Sequence, residues 1–358
     1  MSSSTEKYPS LNGLRAISVI LVVFAHLAMQ DHALSALERN DWTRSFADFL
    51  QDGHLGVTVF FVISGFLITT LLLKEEAKTK TISLKKFYVR RTLRIFPAYY
   101  FLLLVYFILQ LSGQIHINGI SWLTAVTYTK YFNWTDDWYT SHAWSLSIEE
   151  HFYLLWPLVF LCGNRIRKIF AFGLVLIVPL IRTSQYFHPV SWINELSIFT
   201  RIDAIAIGCL FALYKDWLIG KLKMHWRRTF LISVGILVFL VLRPVYPPEI
   251  DIDFLFIPFD VTNGTIAAIV IGFIMMYSVF GPRRSWFRFL NLRVLNYTGI
   301  LSYSIYLWQQ LCISGSHHWF GRYPWNLLSI FVLAMLSYHL IEKPFLRMKE
   351  KFSAVGNS

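Results

Sequence analysis

Long apolar blocks alternate with short polar, often basic, stretches along this chain. The first block, 11–29, has membrane-spanning length, for which roughly 20 apolar residues suffice. Further blocks predict helices at 54–73, 95–111, 143–162, 169–184, 197–214, 230–243, 260–280, 295–314 and 325–341. The pattern predicts an all-α polytopic membrane protein with about ten transmembrane helices. Only Lys7 precedes the first block, and no convincing small-residue cleavage site follows before Asp31, so this block is read as a retained span and not as a secretory signal.

Composition supports that class. The 358 residues are 55% hydrophobic and only 15% charged, against ~25% charged in an average soluble chain. A net charge of +12 raises the question of nucleic acid. The distribution answers it, because most of the 33 lysines and arginines fall in alternate gaps between apolar blocks, a mark of membrane orientation. With the N-terminus cytoplasmic, this asymmetry places both termini inside. The expected organisation is a cytoplasmic tail over 1–10, one membrane domain over 11–343 and a cytoplasmic tail over 344–358, with loosely ordered ends. Cys162, Cys209 and Cys312 lie in or beside apolar blocks without paired spacing, so neither a disulfide framework nor a metal site is expected. Two outer stretches stand out. The segment 243–260 carries four prolines and four acidic residues and reads as non-helical. The segment 128–144 is rich in Trp and Tyr, and 120–132 within its reach reads as a re-entrant or interfacial piece. Those aromatics suit either an interfacial belt or a flat platform for a sugar ring.

Ionisable residues inside apolar blocks mark candidate chemistry, because a charge in lipid is costly unless it faces protein or water. Arg15 and His26 are eleven positions apart, about three helical turns, so they share a helix face ~16 Å apart along the axis. The competing reading has Arg15 snorkelling to headgroups and His26 as a satisfied interface residue. Near the expected inner surface lie Lys85, Lys86, Arg90, Arg91 and Arg94. Guanidinium clusters suit bidentate phosphate binding, and the alternative is anchoring to anionic lipid. Near the expected outer surface lie His26, the run Glu149, Glu150 and His151, and Arg201 with Asp203, which also reads as a structural ion pair. Adjacent glutamates on a helix point ~100° apart, so one of the two is expected to face the His26 layer. A basic inner mouth and an acid/base outer layer together imply a pore in which an anionic donor entering from the cytosol reaches chemistry near the far side.

At these residues the chain resembles the acyltransferase-3 family of integral-membrane O-acyltransferases. The resemblance rests on YPSLNGLRAISVILVVFAH at 8–26, GVTVFFVISGFLI at 56–68, FYVRRTLRIFPAYY at 87–100, WSLSIEEHFYLLWP at 144–157, RIDAIAIGCLFAL at 201–213, LSYSIYLW at 301–308 and HLIEKPF at 339–345. It implies ten spans in the bacterial cytoplasmic (inner) membrane. It also implies acyl transfer from acyl-CoA, usually acetyl-CoA, to hydroxyls of surface glycans such as lipopolysaccharide O-antigen, of peptidoglycan, or of small glycosylated metabolites. By the same resemblance His26 is the catalytic base with Arg15 its partner, Glu149 is the motif glutamate, and Arg90, Arg91 and Arg94 belong to the donor side. Gln309 follows Trp308 where many members have histidine. Some relatives carry an SGNH hydrolase-like domain after the membrane part, which is not expected here, so transfer would be completed by the membrane domain or with a separate partner.

The expected mechanism docks the CoA phosphates on Arg90, Arg91 and Arg94, with Arg15 guiding the donor. Neutral His26 takes the acceptor proton and Glu149 orients the imidazole as the acid of a triad does. A route through acylated Ser64 is the covalent alternative, although Ser64 more simply packs beside Gly65 where helices approach closely. Expected partners are acyl-CoA, a glycan or glycolipid acceptor and membrane lipid, with no nucleic acid and no metal. The rival function is a proton-coupled transporter of an anionic metabolite, in which His26, Glu149 and Asp203 relay protons. A third is a structural membrane partner in glycan assembly.

Overall fold

The computed structural model describes residues 8, 10–30, 53–132, 137–190, 192–194, 196–242, 253–313, 321–350 and 352. All regular structure among them is helical. In chain order the helices are α1 (Ser10–Gln30), α2 (His54–Thr79), α3 (Leu84–Leu111), α4 (Gly119–Val126), a 3₁₀ turn (Lys130–Phe132), α5 (Trp138–Ser141), α6 (Ala143–Leu161), α7 (Asn164–Phe187) and α8 (Ile198–Leu213). There follow α9 (Lys215–Leu222), α10 (Trp226–Leu242), α11 (Asp253–Phe280), α12 (Ser285–Leu290), α13 (Arg293–Cys312), α14 (Trp325–Ser337), a π-helical turn (Tyr338–Glu342) and α15 (Lys343–Glu350).

Each of the ten expected helices is present, and two begin more than five residues earlier than expected. Helix α3 starts at Leu84, capped by the Ser83 hydroxyl on the Lys86 amide, and not near 95. Its first turns are basic because Arg90 and Arg91 have partners within the fold, described below. Helix α11 starts at Asp253 with Pro258 inside it, so the expectation of a non-helical 243–260 fails for 253–260. Residues 243–252 and the tails 1–7 and 353–358 lie outside the described residues. Among those described, five helices are long and apolar enough to cross a membrane: Ser10–Met29, His54–Thr79, Leu84–Leu111, Thr262–Phe280 and Trp325–Lys349. The pair Lys215–Leu222 and Trp226–Val241, bent by 105°, makes a sixth if it is one span.

The chain divides into two compact units, one of residues 1–69 and 168–302, the other of 70–167 and 303–358. In the first unit, α2 and α8 meet backbone to backbone. A Cβ at Gly65 would overlap the Ile205 carbonyl, and one at Gly208 would overlap that of Val62. Close approach at small residues is how helices associate in lipid, where no hydrophobic force separates helix from solvent. The expectation that helices pack closely beside Ser64 at Gly65 therefore holds. Gly65→Ala is expected to destabilise the protein by about 1–3 kcal/mol, the cost of overpacking, which thermal unfolding in detergent would report. The same logic explains the LNG of the N-terminal motif. Gly13 lies under the Leu290 carbonyl, Gly299 under that of Asn12, and the Asn12 amide donates to Asn296 at 2.6 Å.

In the second unit, α3 runs antiparallel to α6. The Tyr88 hydroxyl donates to the Leu154 carbonyl at 2.8 Å, and Arg91 lies over the Tyr153 ring at 4.2 Å. Trp156 stacks on Phe152 at 5.4 Å, and both are almost wholly buried. The expected interfacial piece is α4 and the 3₁₀ turn. There Lys130, paired with Asp137 at 3.3 Å, is buried, and burial pushes its ammonium down while Asp137 opposes the shift. Tyr128 packs on Tyr99 with ring centres 4.5 Å apart, and Tyr131 lies against His151. Both tyrosines are buried, so neither a lipid-facing belt nor an open platform describes them. Residues 133–136 of that stretch lie outside the described residues.

Candidate functional site

In the first unit, α1 is unbroken from Ser10 to Gln30, so Arg15 and His26 share one helix face as their spacing requires. Both are half-buried. The His26 Nδ1 lies 3.0 Å from the Val22 carbonyl oxygen, one turn back. A carbonyl only accepts, so Nδ1 carries the proton, and in the neutral ring Nε2 is the basic nitrogen. The backbone of α1 thus orients the imidazole at Nδ1. The seat is firm. The Ser18 hydroxyl donates to the Gly56 carbonyl, and a Cβ at Gly56 would overlap Val22, so this glycine lets α2 brace the turn of α1 that holds His26.

The same unit contains an ion pair that the sequence reading assigned otherwise. Asp203 is 1% exposed, and its partner is Arg182 of α7, whose Nη2 reaches both carboxylate oxygens at 2.8 and 2.9 Å. Arg182 also donates to the Thr200 carbonyl and to Thr265, and Thr265 donates to Asp203 at 2.5 Å. Three helices, α7, α8 and α11, are tied at one buried point. Arg201 lies two residues from Asp203, and adjacent-face geometry on a helix sends it ~200° round the axis. The signal for Arg182 was the one charged residue within the expected apolar block 169–184.

In the second unit, the basic and acidic residues expected at two depths meet. Arg91 lies over the ring of Tyr153, whose hydroxyl donates to Glu149 at 3.4 Å. Arg94 interacts electrostatically with Arg91, Tyr153, Glu342 and Glu149, and Glu150 with Arg91 and Glu149. The antiparallel packing of α3 and α6 brings these charges to one level, which an α3 beginning at 95 hid. Arg90 turns elsewhere. Its Nη2 pairs with Glu75 at 2.7 Å, its Nη1 donates to the Phe352 carbonyl, and Glu75 also accepts from the Ser83 amide. The arginines beside Tyr153 and Glu149 are thus Arg91 and Arg94, while Arg90 is engaged by Glu75.

Glu342 was missed as a site residue although its motif was noted. It is 6% exposed, at the end of the π-helical turn, and accepts from the buried Ser304 hydroxyl. Single π turns re-aim side chains and recur at functional sites. An acidic residue closing an apolar span directly before Lys-Pro was the available signal. Among the described residues no cluster of His, Cys, Asp and Glu is placed to hold a metal ion.

The chain matches the family model described as acyltransferase domain over residues 8–338. It is 30% identical over 370 residues to O-acetyltransferase OatA of Staphylococcus aureus (strain NCTC 8325 / PS 47), covering 94% of this chain and 57% of that relative. The same values relate it to O-acetyltransferase OatA of strain MRSA252. The chain thus spans little more than half the length of these curated relatives. No solved structure matches it.

Proposed function

From the membership of this chain in the acyltransferase-3 family, we propose that it is a multi-pass membrane O-acyltransferase with acyl-CoA as donor. The acyl group is acetyl and the acceptor is a hydroxyl of a cell-surface glycan or its lipid-linked precursor. In this proposal the chain crosses a bacterial cytoplasmic membrane ten times, with both termini and the donor on the cytoplasmic side.

The observation that carries the mechanism is the bond from His26 Nδ1 to the Val22 carbonyl. It leaves Nε2 as the basic nitrogen, and Nε2 takes the proton of the acceptor hydroxyl as that oxygen attacks the thioester carbonyl carbon. The carbon–sulfur bond then breaks, and the proton passes from His26 to the departing CoA thiolate, leaving the acetyl ester. General base catalysis of this kind contributes about 10²- to 10⁴-fold. Arg15, on the same face of α1, draws the anionic donor towards that helix face.

In the second unit Arg91 and Arg94 suit the donor phosphates, because guanidinium forks match phosphate oxygens. Glu149, Tyr153 and Glu342 hold them in place, and Arg90, committed to Glu75, supports the set from one side. Acetyl-CoA titration of the purified protein tests this assignment. Arg91→Gln is expected to weaken acetyl-CoA binding about tenfold or more, the loss of one charged hydrogen bond, and to reduce discrimination against dephospho-CoA. Equal binding of both donors by wild type and variant would remove these arginines from the donor site. The family match counts against the transporter, which predicts flux of a metabolite with no new ester.

A further inference from the structure

Helix α10 meets the rest of the first unit along one face. Trp226 and Phe230, one turn apart, pack on the ring of Tyr277 in α11 with centres 6.3 and 4.3 Å away, and Ser233 and Leu240 continue that buried face. The opposite face starts at Arg228 and runs through Leu231, Ile232, Gly235, Val238 and Phe239 at helical spacing, all of them exposed. No residue of α10 after Arg228 is charged. The steps from Arg228 to Phe239 rise ~16 Å, about half of a ~30 Å hydrocarbon core. In a bilayer this strip is one leaflet deep, with its cation at the water end.

Before Trp226 the chain bends by 105° into α9. A helix near right angles to a span lies along the membrane surface, and α9 has the residues for that position, with Trp217 exposed and Lys221 and Lys223 at its far end. The turn is closed by the His225 amide on the Leu222 carbonyl at 2.8 Å and the Thr229 amide on the His225 carbonyl at 2.9 Å. Within this elbow Met224, His225, Arg227, Arg228, Leu231 and Ile232 line one hollow of about 470 Å³, a size that suits a small ligand group. Acid is scarce around it. Between Lys215 and Ile232 the one acidic residue is Asp216, paired with Lys215 at 3.6 Å. The segment 281–293, which lays Trp286 against Phe230 at 5.6 Å, has no acidic residue and adds Arg283, Arg284 and Arg288.

The chemistry of the hollow selects its ligand. Guanidinium forks match phosphate oxygens, and a neutral lipid would leave these cations without a counter-charge. A water-soluble phosphate would make no use of Leu231, Ile232 and the apolar strip that continues from them. An amphiphile with an anionic head uses both ends, and basic pockets at the ends of membrane helices suit such headgroups. We propose that the elbow between α9 and α10 binds an anionic phospholipid, with Arg227 and Arg228 on its phosphate and one acyl chain along Leu231, Ile232 and the strip beyond them. This site needs α10 to lie in a membrane and is independent of the acyl-transfer reading.

The test is the affinity of the purified full chain, in a mild detergent, for phosphatidylglycerol and for phosphatidylcholine of the same acyl chains, read from the thermal unfolding midpoint against lipid concentration. Wild type is expected to bind phosphatidylglycerol about tenfold or more tightly than phosphatidylcholine, the worth of one charged hydrogen bond. Arg227→Gln with Arg228→Gln is expected to abolish that preference. Lys78→Gln with Lys80→Gln, an equal loss of charge from exposed positions around the end of α2, is expected to keep it. Both arginines are exposed, so the double variant is expected to fold; should it not, Arg228→Gln alone is read in the same way. Equal affinity of wild type for the two lipids would overturn the proposal. So would a preference that survives in the double variant, because the arginines would then orient the chain without holding a lipid. Glycerophosphate, which has no acyl chain, and acetyl-CoA are both expected to leave bound phosphatidylglycerol in place. Displacement by either would identify a site for water-soluble phosphates and overturn the lipid assignment.

Discussion

His26→Ala is expected to slow acyl transfer by about 10²- to 10⁴-fold, the usual worth of a general base, while acetyl-CoA binding and the thermal unfolding midpoint stay near wild type. The physical ground is the orientation of the ring. The Val22 carbonyl accepts from Nδ1, so the helix backbone fixes the tautomer. Single-turnover transfer from labelled acetyl-CoA measures the effect. His26→Asn places a nitrogen donor near the position of Nδ1 without a base at Nε2, so it is expected to be as slow as alanine. Transfer at the wild-type rate by either variant would remove His26 from the chemistry.

Arg182→Ala carries the largest expected effect on stability. It leaves the Asp203 carboxylate, 1% exposed, with Thr265 and without its cation. Removing one partner of a buried ion pair costs about 3–5 kcal/mol. The loss is expected as a lower unfolding midpoint and a lower yield of folded protein in detergent. The double variant Arg182→Met with Asp203→Leu is expected to recover most of it, because replacing both members by apolar residues of similar volume is often neutral. If Arg182→Ala unfolds like wild type, the pair does not hold α7, α8 and α11 together. If it does so while abolishing acyl transfer, these residues belong to function instead.

Helix positions were legible because apolar blocks of membrane length have few alternatives. The early start of α3 was not, because the charge of 85–94 reads as a loop until its partners are known. Glu75, eight residues before Ser83, and Tyr153, far along the chain, turn those arginines into parts of a helix. The same missing partners explain two further differences. Asp203 was set beside Arg201 by proximity in sequence, whereas α7 delivers Arg182 across the unit. Arg90 stands beside Arg91 and Arg94 in the sequence, whereas Glu75 engages it in the fold. In contrast, the face shared by Arg15 and His26 follows from one uninterrupted helix, so spacing alone was enough. Tyr128 and Tyr131 show the limit of composition, since aromatic residues near a membrane surface look alike whether they face lipid, ligand or a protein core.

The most direct measurement is the fate of labelled acetyl when the purified protein, reconstituted in lipid vesicles, is given acetyl-CoA and a glycan extract of its host. The account predicts label on the glycan as an alkali-labile ester, formed by wild type and not by His26→Ala. Label that crosses the vesicle membrane while the glycan stays unmodified would contradict it and establish a carrier.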